Sequence, residues 1–557
     1  MRQLDMKKRT ITTVAAALLG LAGSADAQTV VNTDVVAPTT WCNAANPGPI
    51  ILDGAIFVRD GGVLTILPGC IVRGQPRTAA VVPGVTTGTP GTLIVTQTGM
   101  IKAEGTKNSP VIFTTAAVDN NADGIADDDD SNGFKDAWAA GDLFLDSDPL
   151  DAPLAPLDKA GRANVALWGG VVILGNAPTN LANASGVGFG KGIIEGLTVP
   201  GFPGAYATYG GEFAHDNSGV LRYASIRHGG DEIGNSNELN CLSMGGVGDG
   251  TVIDHVECYT NFDDGFEWFG GTVEGSHLAS FYMGDDSFDL DQGYTGVGQF
   301  YFAIQTFFNQ NNGSNYGSAS GDRATEFDGD DSGNTSVRVG DGICWPFSAA
   351  DVYNMTVIGS TPPGANPAVS PASANLGIVL TNNYAGRIAN SIVVNTGTAP
   401  GLSIPLGSSG CSAAGFTTHT NVTAGRTEVV STTFANGAAP TAGSIEETAI
   451  LNGNATAALL GGTANSVYQI GFQGLVNADA TFDPTGNAAG KLDASLKASP
   501  INPRPKPGIV GVGLGIAPTR RVLDSNAKYR GAFPASTNVD LWTTGWTALN
   551  RGGLLAN

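Results

Sequence analysis

The chain has 557 residues, 79 of them glycine, about twice the usual share, and only 14% are charged. Asp and Glu number 50 against 28 Lys and Arg, and the net charge of −22 excludes the basic stripe that a nucleic-acid partner requires. With 42% hydrophobic and 8% aromatic residues the chain can build a core, which excludes wholesale disorder.

The first predicted element is a leader. Arg2, Lys7, Lys8 and Arg9 precede an apolar run from Ile11 to Ala22, and Ala25-Asp26-Ala27 forms a small-residue cleavage site. The run is too short to cross a bilayer. Residues 1–27 are therefore expected to be a signal peptide, and the mature protein to be secreted or periplasmic, with no membrane span. The cysteines agree. Cys42, Cys70, Cys241, Cys258, Cys344 and Cys411 make an even set in an exported chain, which points to disulfides. Pairing between sequence neighbours (42–70, 241–258, 344–411) closes the shortest loops and is the expectation.

Short β-rich runs then follow one another between Gly, Asn and Asp turns. Val63–Val72 reads as two strands with a corner. Leu93–Val95 with Gly99–Thr106 repeats that shape, and Pro110–Thr114 adds a strand. An acidic stretch interrupts them. In it Asp119, Asn121 and Asp123 stand at positions 1, 3 and 5 of a calcium loop, Gly124 at 6, Ile125 at 7 with its carbonyl, Asp127 at 9 and Asp130 at 12. Calcium takes six to eight hard oxygens, and this spacing wraps them around one point. The loop resembles the EF-hand-like loops of dockerins, with Asp in place of Glu at position 12 and no flanking helices. A solvated acidic loop is the plainer alternative.

The clearest repeat lies in the middle. Asp263-Asp264-Gly265-Phe266-Glu267-Trp268-Phe269 aligns with Asp285-Asp286-Ser287-Phe288-Asp289-Leu290-Asp291, 22 residues on. Leu221–His228 reads as an earlier copy of the preceding strand, and Glu326-Phe327-Asp328 as a later, degenerate copy of the acidic segment. A period in the low twenties built of strands and turns means stacked coils that share one core. The fold expected is all-β, a right-handed parallel β-helix with loop insertions; a β-sandwich has similar strands but no in-register repeat. The divisions are the leader, N-terminal coils (28–115), an acidic calcium-loop insertion (116–165), central coils (166–425), and C-terminal coils with a capping tail (426–557).

Gly91–Thr114 and Ile253–Gly293 resemble right-handed parallel β-helices of the pectate-lyase-like superfold. More narrowly, Leu167–Gly175, Tyr223–Gly230, Asp263–Gly271 and Trp542–Leu549 resemble a group of exported bacterial β-helix proteins without a settled activity. The resemblance implies a fold and leaves the chemistry open.

In-register coils place Phe266, Phe288 and Phe327 in an inward stack. Glu267, Asp289 and Asp328 then form one outward row, which Asn240 extends. Coils about 4.8 Å apart bring these carboxylates close enough to need a proton or a cation such as Ca2+. Asx turn chemistry is the alternative use of such residues. The function expected is a calcium-stabilised binding scaffold for an extended ligand, a cell-surface glycan or other polysaccharide first, with Trp268 and Tyr294 as ring platforms; core or stack-filling roles are the plainer use of these rings. The alternative is a polysaccharide lyase or hydrolase using Asp263, Asp264, Asp289 and Arg323, although Gly265 stands where such a double Asp is expected to be followed by Cys. His255 and His277 also fall 22 residues apart, as packing or as flanks of a ligand.

Overall fold

In the computed structural model the described residues are 28–79, 89–156, 163–181, 190–194, 197, 204–234, 237–305, 323–330, 347–361, 376–396, 400–406, 417–435, 443–446, 448–449, 500–505, 515 and 521–557. The leader, Cys344 and Cys411, and most of 436–520 lie outside them.

The polypeptide winds as a parallel β-helix. Its front face is a nine-stranded parallel sheet. In stacking order its strands are Ala55–Val58, Thr92–Val95, Val171–Leu174, Leu242–Gly245, Phe266–Phe269, Phe288–Asp291, Arg323–Asp328, Leu376–Thr381 and Leu402–Ser403. Two short antiparallel pairs lie outside the large sheets, and a further 17 strands run over two other faces. Toward the ends of the spiral each coil has two short strands there, such as Val63–Ile66 with Ile71–Gly74, or Asp351–Tyr353 with Thr356–Thr361. In the middle they fuse into single long strands: Gly219–Arg227, Val252–Tyr259, Glu274–Phe281 and Val297–Ile304.

The fused strands still turn the corner, at one left-handed residue each. Tyr223, His255, His277 and Phe300 have φ of 45°, 55°, 55° and 62°. Later coils fill the same corner with Asn354, Asn390 and Ser431, at φ of 55°, 52° and 50°. Asn adopts this conformation readily; the rings pay strain for it, offset by stacking on one another.

Alternate side chains of every strand point inward and form one continuous core. Phe266 lies over Phe288 with ring centroids 5.5 Å apart, so residues 22 apart do stack. Leu221 pairs with Ile253 as expected of an earlier copy. The later copy is offset by two residues from the sequence reading. Phe288 pairs with Thr325, Asp289 with Glu326, and Leu290 with Phe327. Asp328 is therefore not in the acidic row; it takes a hydrogen bond from Asn382 Nδ2 at 2.7 Å. A two-residue slip keeps every side chain on its own face, so alternation alone cannot detect it.

Disulfides Cys42–Cys70 and Cys241–Cys258 form as expected. Cys344 and Cys411 fall outside the described residues. No described helix is long and apolar enough to cross a membrane.

Candidate functional site

The outward row of the front sheet changes character along the spiral. Phe57, Ile94 and Val172 come first, in register, and are followed by Ser243, Glu267, Asp289, Glu326 and Val379. The apolar half is covered. Leu181, Ile194, Leu197, Ala207 and Tyr209, from the segment after strand Val171–Leu174, pack over it. The acidic half begins where that cover ends, beside Tyr209, whose hydroxyl donates to Gln292 Oε1 at 2.6 Å.

A second ladder flanks the row at the preceding corner. Asn240, Asp264 and Asp286 each stand two residues before a front strand. The Asp264 N–H donates to Asn240 Oδ1 at 3.3 Å, and the Asp286 N–H to Asp264 Oδ1 at 2.8 Å. The Asn240 and Asp264 side chains thus each cap the backbone of the next coil, as Asx residues do at turns. Asn240 belongs to this corner ladder, and its Nδ2 also donates to Glu267 Oε2.

Carboxylate oxygens of Asp264, Glu267 and Asp289 lie within 4.8 Å of one another, and so do those of Asp263, Asp264 and Asp285. Asp264 and Glu267 are each only 8% exposed. Asp289 is partly exposed, yet its Oδ1 is buried and has no hydrogen-bond partner. Burial first, then the charges of Glu267, Asp264, Asp286 and Asp291, push the Asp289 carboxyl well above its ordinary range. Arg323 opens the next front strand, pairs with Glu326 and lies 3.8 Å from Asp286 Oδ2. The pit therefore gathers hard oxygen donors, one of them with an unused lone pair, and a guanidinium at one rim.

Trp268 and Tyr294 do not face the pit. Both are buried inside the spiral, with Trp268 stacked 6.0 Å from Tyr301, so neither presents a ring to an outside ligand.

The acidic insertion is a separate feature. Asp119 Oδ1 and Oδ2 accept the N–H groups of Asp123 and Gly124, Asn121 Oδ1 also accepts from Asp123, and Asp123 Oδ1 from Ile125. Asp127 closes the turn by accepting from Asn120 N–H and Asn121 Nδ2. Asp130 does not join this loop. It belongs to a second one, in which Asp128 accepts from Asn132 and Gly133, Asp130 from Asn132, and Asn132 from Phe134. Asp128, Asp130 and Asp136 offer oxygens within 4.8 Å of one another. The second loop repeats the first nine residues later, with Asn132 for Asp123 and Gly133 for Gly124. That offset is present in the sequence and was the signal that a single-loop reading passes over.

His255 and His277 stack with centroids 4.1 Å apart, one coil above the other, away from the front sheet.

Residues 158–467 match the family model described as a pectate-lyase like beta helix domain. No curated protein and no solved structure shows a significant match.

Proposed function

Because the chain belongs to the pectate-lyase-like β-helix domain family, we propose that it is an exported binding scaffold that holds an extended ligand along its front face. A polysaccharide or cell-surface glycan is the first candidate ligand, and Ca2+ the cation that the acidic groups take up. The observation that carries this reading is the pit of Asp264, Glu267 and Asp289, placed where the covered half of the front sheet ends. Three clustered carboxylates repel one another unless one takes a proton, and all three stay ionised only with a cation among them. Oxygen donors alone suit a hard cation such as calcium, and the partnerless Asp289 Oδ1 gives it a lone pair to use. The two nine-residue loops of the insertion offer the same donor chemistry, with the carbonyls of Ile125 and Phe134 at the seventh positions.

The cation would fix the geometry of the pit and offer open coordination positions to hydroxyl or carboxylate groups of the ligand. Asn240 and Asp264, locked to backbone by their hydrogen bonds, hold that geometry before the ligand arrives. The experiment is a glycan-binding screen of the mature protein with calcium and with chelator. Retained ligand with intact chain ends, lost in Glu267→Gln and Asp289→Asn by about tenfold or more, is the expected result. Equal binding by both variants and the native protein would reject the front pit as the site.

A hydrolytic reading is favoured by one observation. The Asp289 carboxyl, pushed well above its ordinary range beside Asp264 and Glu267, would serve as the acid of an acid–base pair, with a neighbour as the base. New reducing ends that disappear in Asp289→Asn, with the fold retained, would support it over binding alone.

A further inference from the structure

We propose that the C-terminal segment 521–557 is a strap that acid releases, held on the spiral at neutral pH by Trp542 and Trp546 closing over the His255–His277 stack.

The strap lies against the outer surface of the long central strands. Phe533, Leu541, Leu549, Leu554 and Leu555 pack there on Phe281, Phe302 and their neighbours. At its edge runs the left-handed corner described above. Ring centroids along that corner are 4.3 Å apart for Tyr223 and His255, 4.1 Å for His255 and His277, and 4.7 Å for His277 and Phe300. Trp542 stands nearly perpendicular to both imidazoles, 5.3 Å from His277 and 6.2 Å from His255. Trp546 covers His255 at 6.0 Å and Tyr223 at 5.8 Å.

One carboxylate serves both imidazoles. Asp254 Oδ1 is 2.8 Å from His255 Nδ1 and 3.2 Å from His277 Nδ1, and Ser276 Oγ is 2.8 Å from the latter. Its other oxygen receives Arg222 Nε at 3.3 Å, and Arg222 in turn lies 3.7 Å from Glu104. From the strap, Asp524 acts on His277, and Tyr529 stacks on Phe300 at 6.5 Å. Asp254 is thus already shared with a guanidinium. It can neutralise one imidazolium, but two imidazolium rings face to face at 4.1 Å would repel across a contact that the tryptophans cover only in part, His255 and His277 keeping 14% and 24% of their side chains exposed.

The sign follows from proton counting. Burial holds His277 below its ordinary value while the strap is docked. With the strap off, the ring is more solvated and its affinity for a proton rises toward that of an ordinary imidazole. The released form binds more protons, so docking weakens as pH falls through the ordinary imidazole range. Asp254 works in a different window. Burial raises it, but the hydrogen bonds from His255 and His277 outweigh that and hold it below the ordinary carboxylate range, so its contribution is lost only below about pH 4.

The strap also carries pairs with no histidine. Lys107 meets Asp540 at 3.0 Å, Arg521 meets Glu274 at 2.7 Å, and Arg551 meets Asp151 at 3.3 Å. The buried Glu257 accepts the Ala548 N–H, and burial raises its carboxyl, so acid favours docking through this group and its effect runs opposite to that of the histidines.

Amide hydrogen exchange on the full mature chain separates the two. Peptides covering 541–556 are compared with a control in the central coils, 288–304, at about pH 7.5 and about pH 5, corrected for intrinsic rates. The proposal expects strap protection to fall about tenfold or more at the lower pH while the control holds. His255→Asn with His277→Asn, a residue this corner already accepts at Asn354 and Asn390, should keep the strap protected at both. Should the double variant leave the strap undocked at the higher pH, His277→Asn alone is read by the same criterion. Protection that does not change with pH in the native chain, or that falls equally in the variant, overturns the proposal; the second result assigns the effect to groups other than the two histidines.

Discussion

His228 ends the long strand Gly219–Arg227 at φ 61° and is fully buried. Its Nδ1 lies 2.7 Å from the Asn164 carbonyl, and its buried Nε2 has no partner. Burial, only partly opposed by Asp146 and the Asn164 carbonyl, lowers the imidazole to about 4. The unfolded chain therefore binds a proton that the folded one refuses, and stability falls as pH drops from about 6.5 toward 4. The pH-dependent part should approach about 3 kcal/mol. Urea denaturation between those limits should show it in the native protein, and His228→Asn should remove most of it. An unchanged slope in the variant would move the effect to other groups. Its companion ladder, His255 over His277, was legible from a shared position in two copies of one motif. That Trp542 and Trp546 would cover it was not, because nothing in the local pattern encodes a partner nearly three hundred residues away.

At the scale of the element, the stacked coil is the unit, and its turns absorb the differences. Leu242 to Phe266 spans a longer coil than Phe266 to Phe288, yet all three share a register. Phe288, wholly buried between Phe266 and Tyr301, ties neighbouring coils together. Phe288→Ala should cost about 3–5 kcal/mol, because the stack around it cannot collapse into the space. Thermal or urea unfolding would measure this, and a cost under about 1 kcal/mol would contradict the continuous core. The repeat of Asp263–Trp268 in Asp285–Leu290 was readable because residue types coincide at six successive positions. Glu326 was misplaced by two because a slip of two leaves the inside and the outside unchanged. Trp268 and Tyr294 could be read either as ring platforms or as core for a related reason: an aromatic on an alternating strand looks the same from either face until a core needs filling.

Across the whole molecule, three segments outside the coils decide what the spiral can bind. The segment around Tyr209 covers the apolar half of the front sheet and leaves the acidic half at its margin. The acidic insertion is anchored by Arg73, whose Nη2 donates to the Asp146 carbonyl at 2.6 Å, and by Trp138 stacked on Phe144. The C-terminal strap closes the outer surface. Composition and period reveal the spiral because each coil meets its neighbour again and again. They are silent on these covers, each of which is used once and held by contacts distant in sequence. Calcium binding by the acidic pit and loops is the claim on which the functional reading rests. Calorimetric titration of the chelator-stripped mature protein tests it most directly, with Glu267→Gln/Asp289→Asn and Asp123→Asn/Asp130→Asn measured alongside. The account predicts saturable calcium binding that raises the melting temperature, with each variant pair losing a separate part of the stoichiometry. No binding heat, together with identical melting in calcium and in excess chelator, would contradict it.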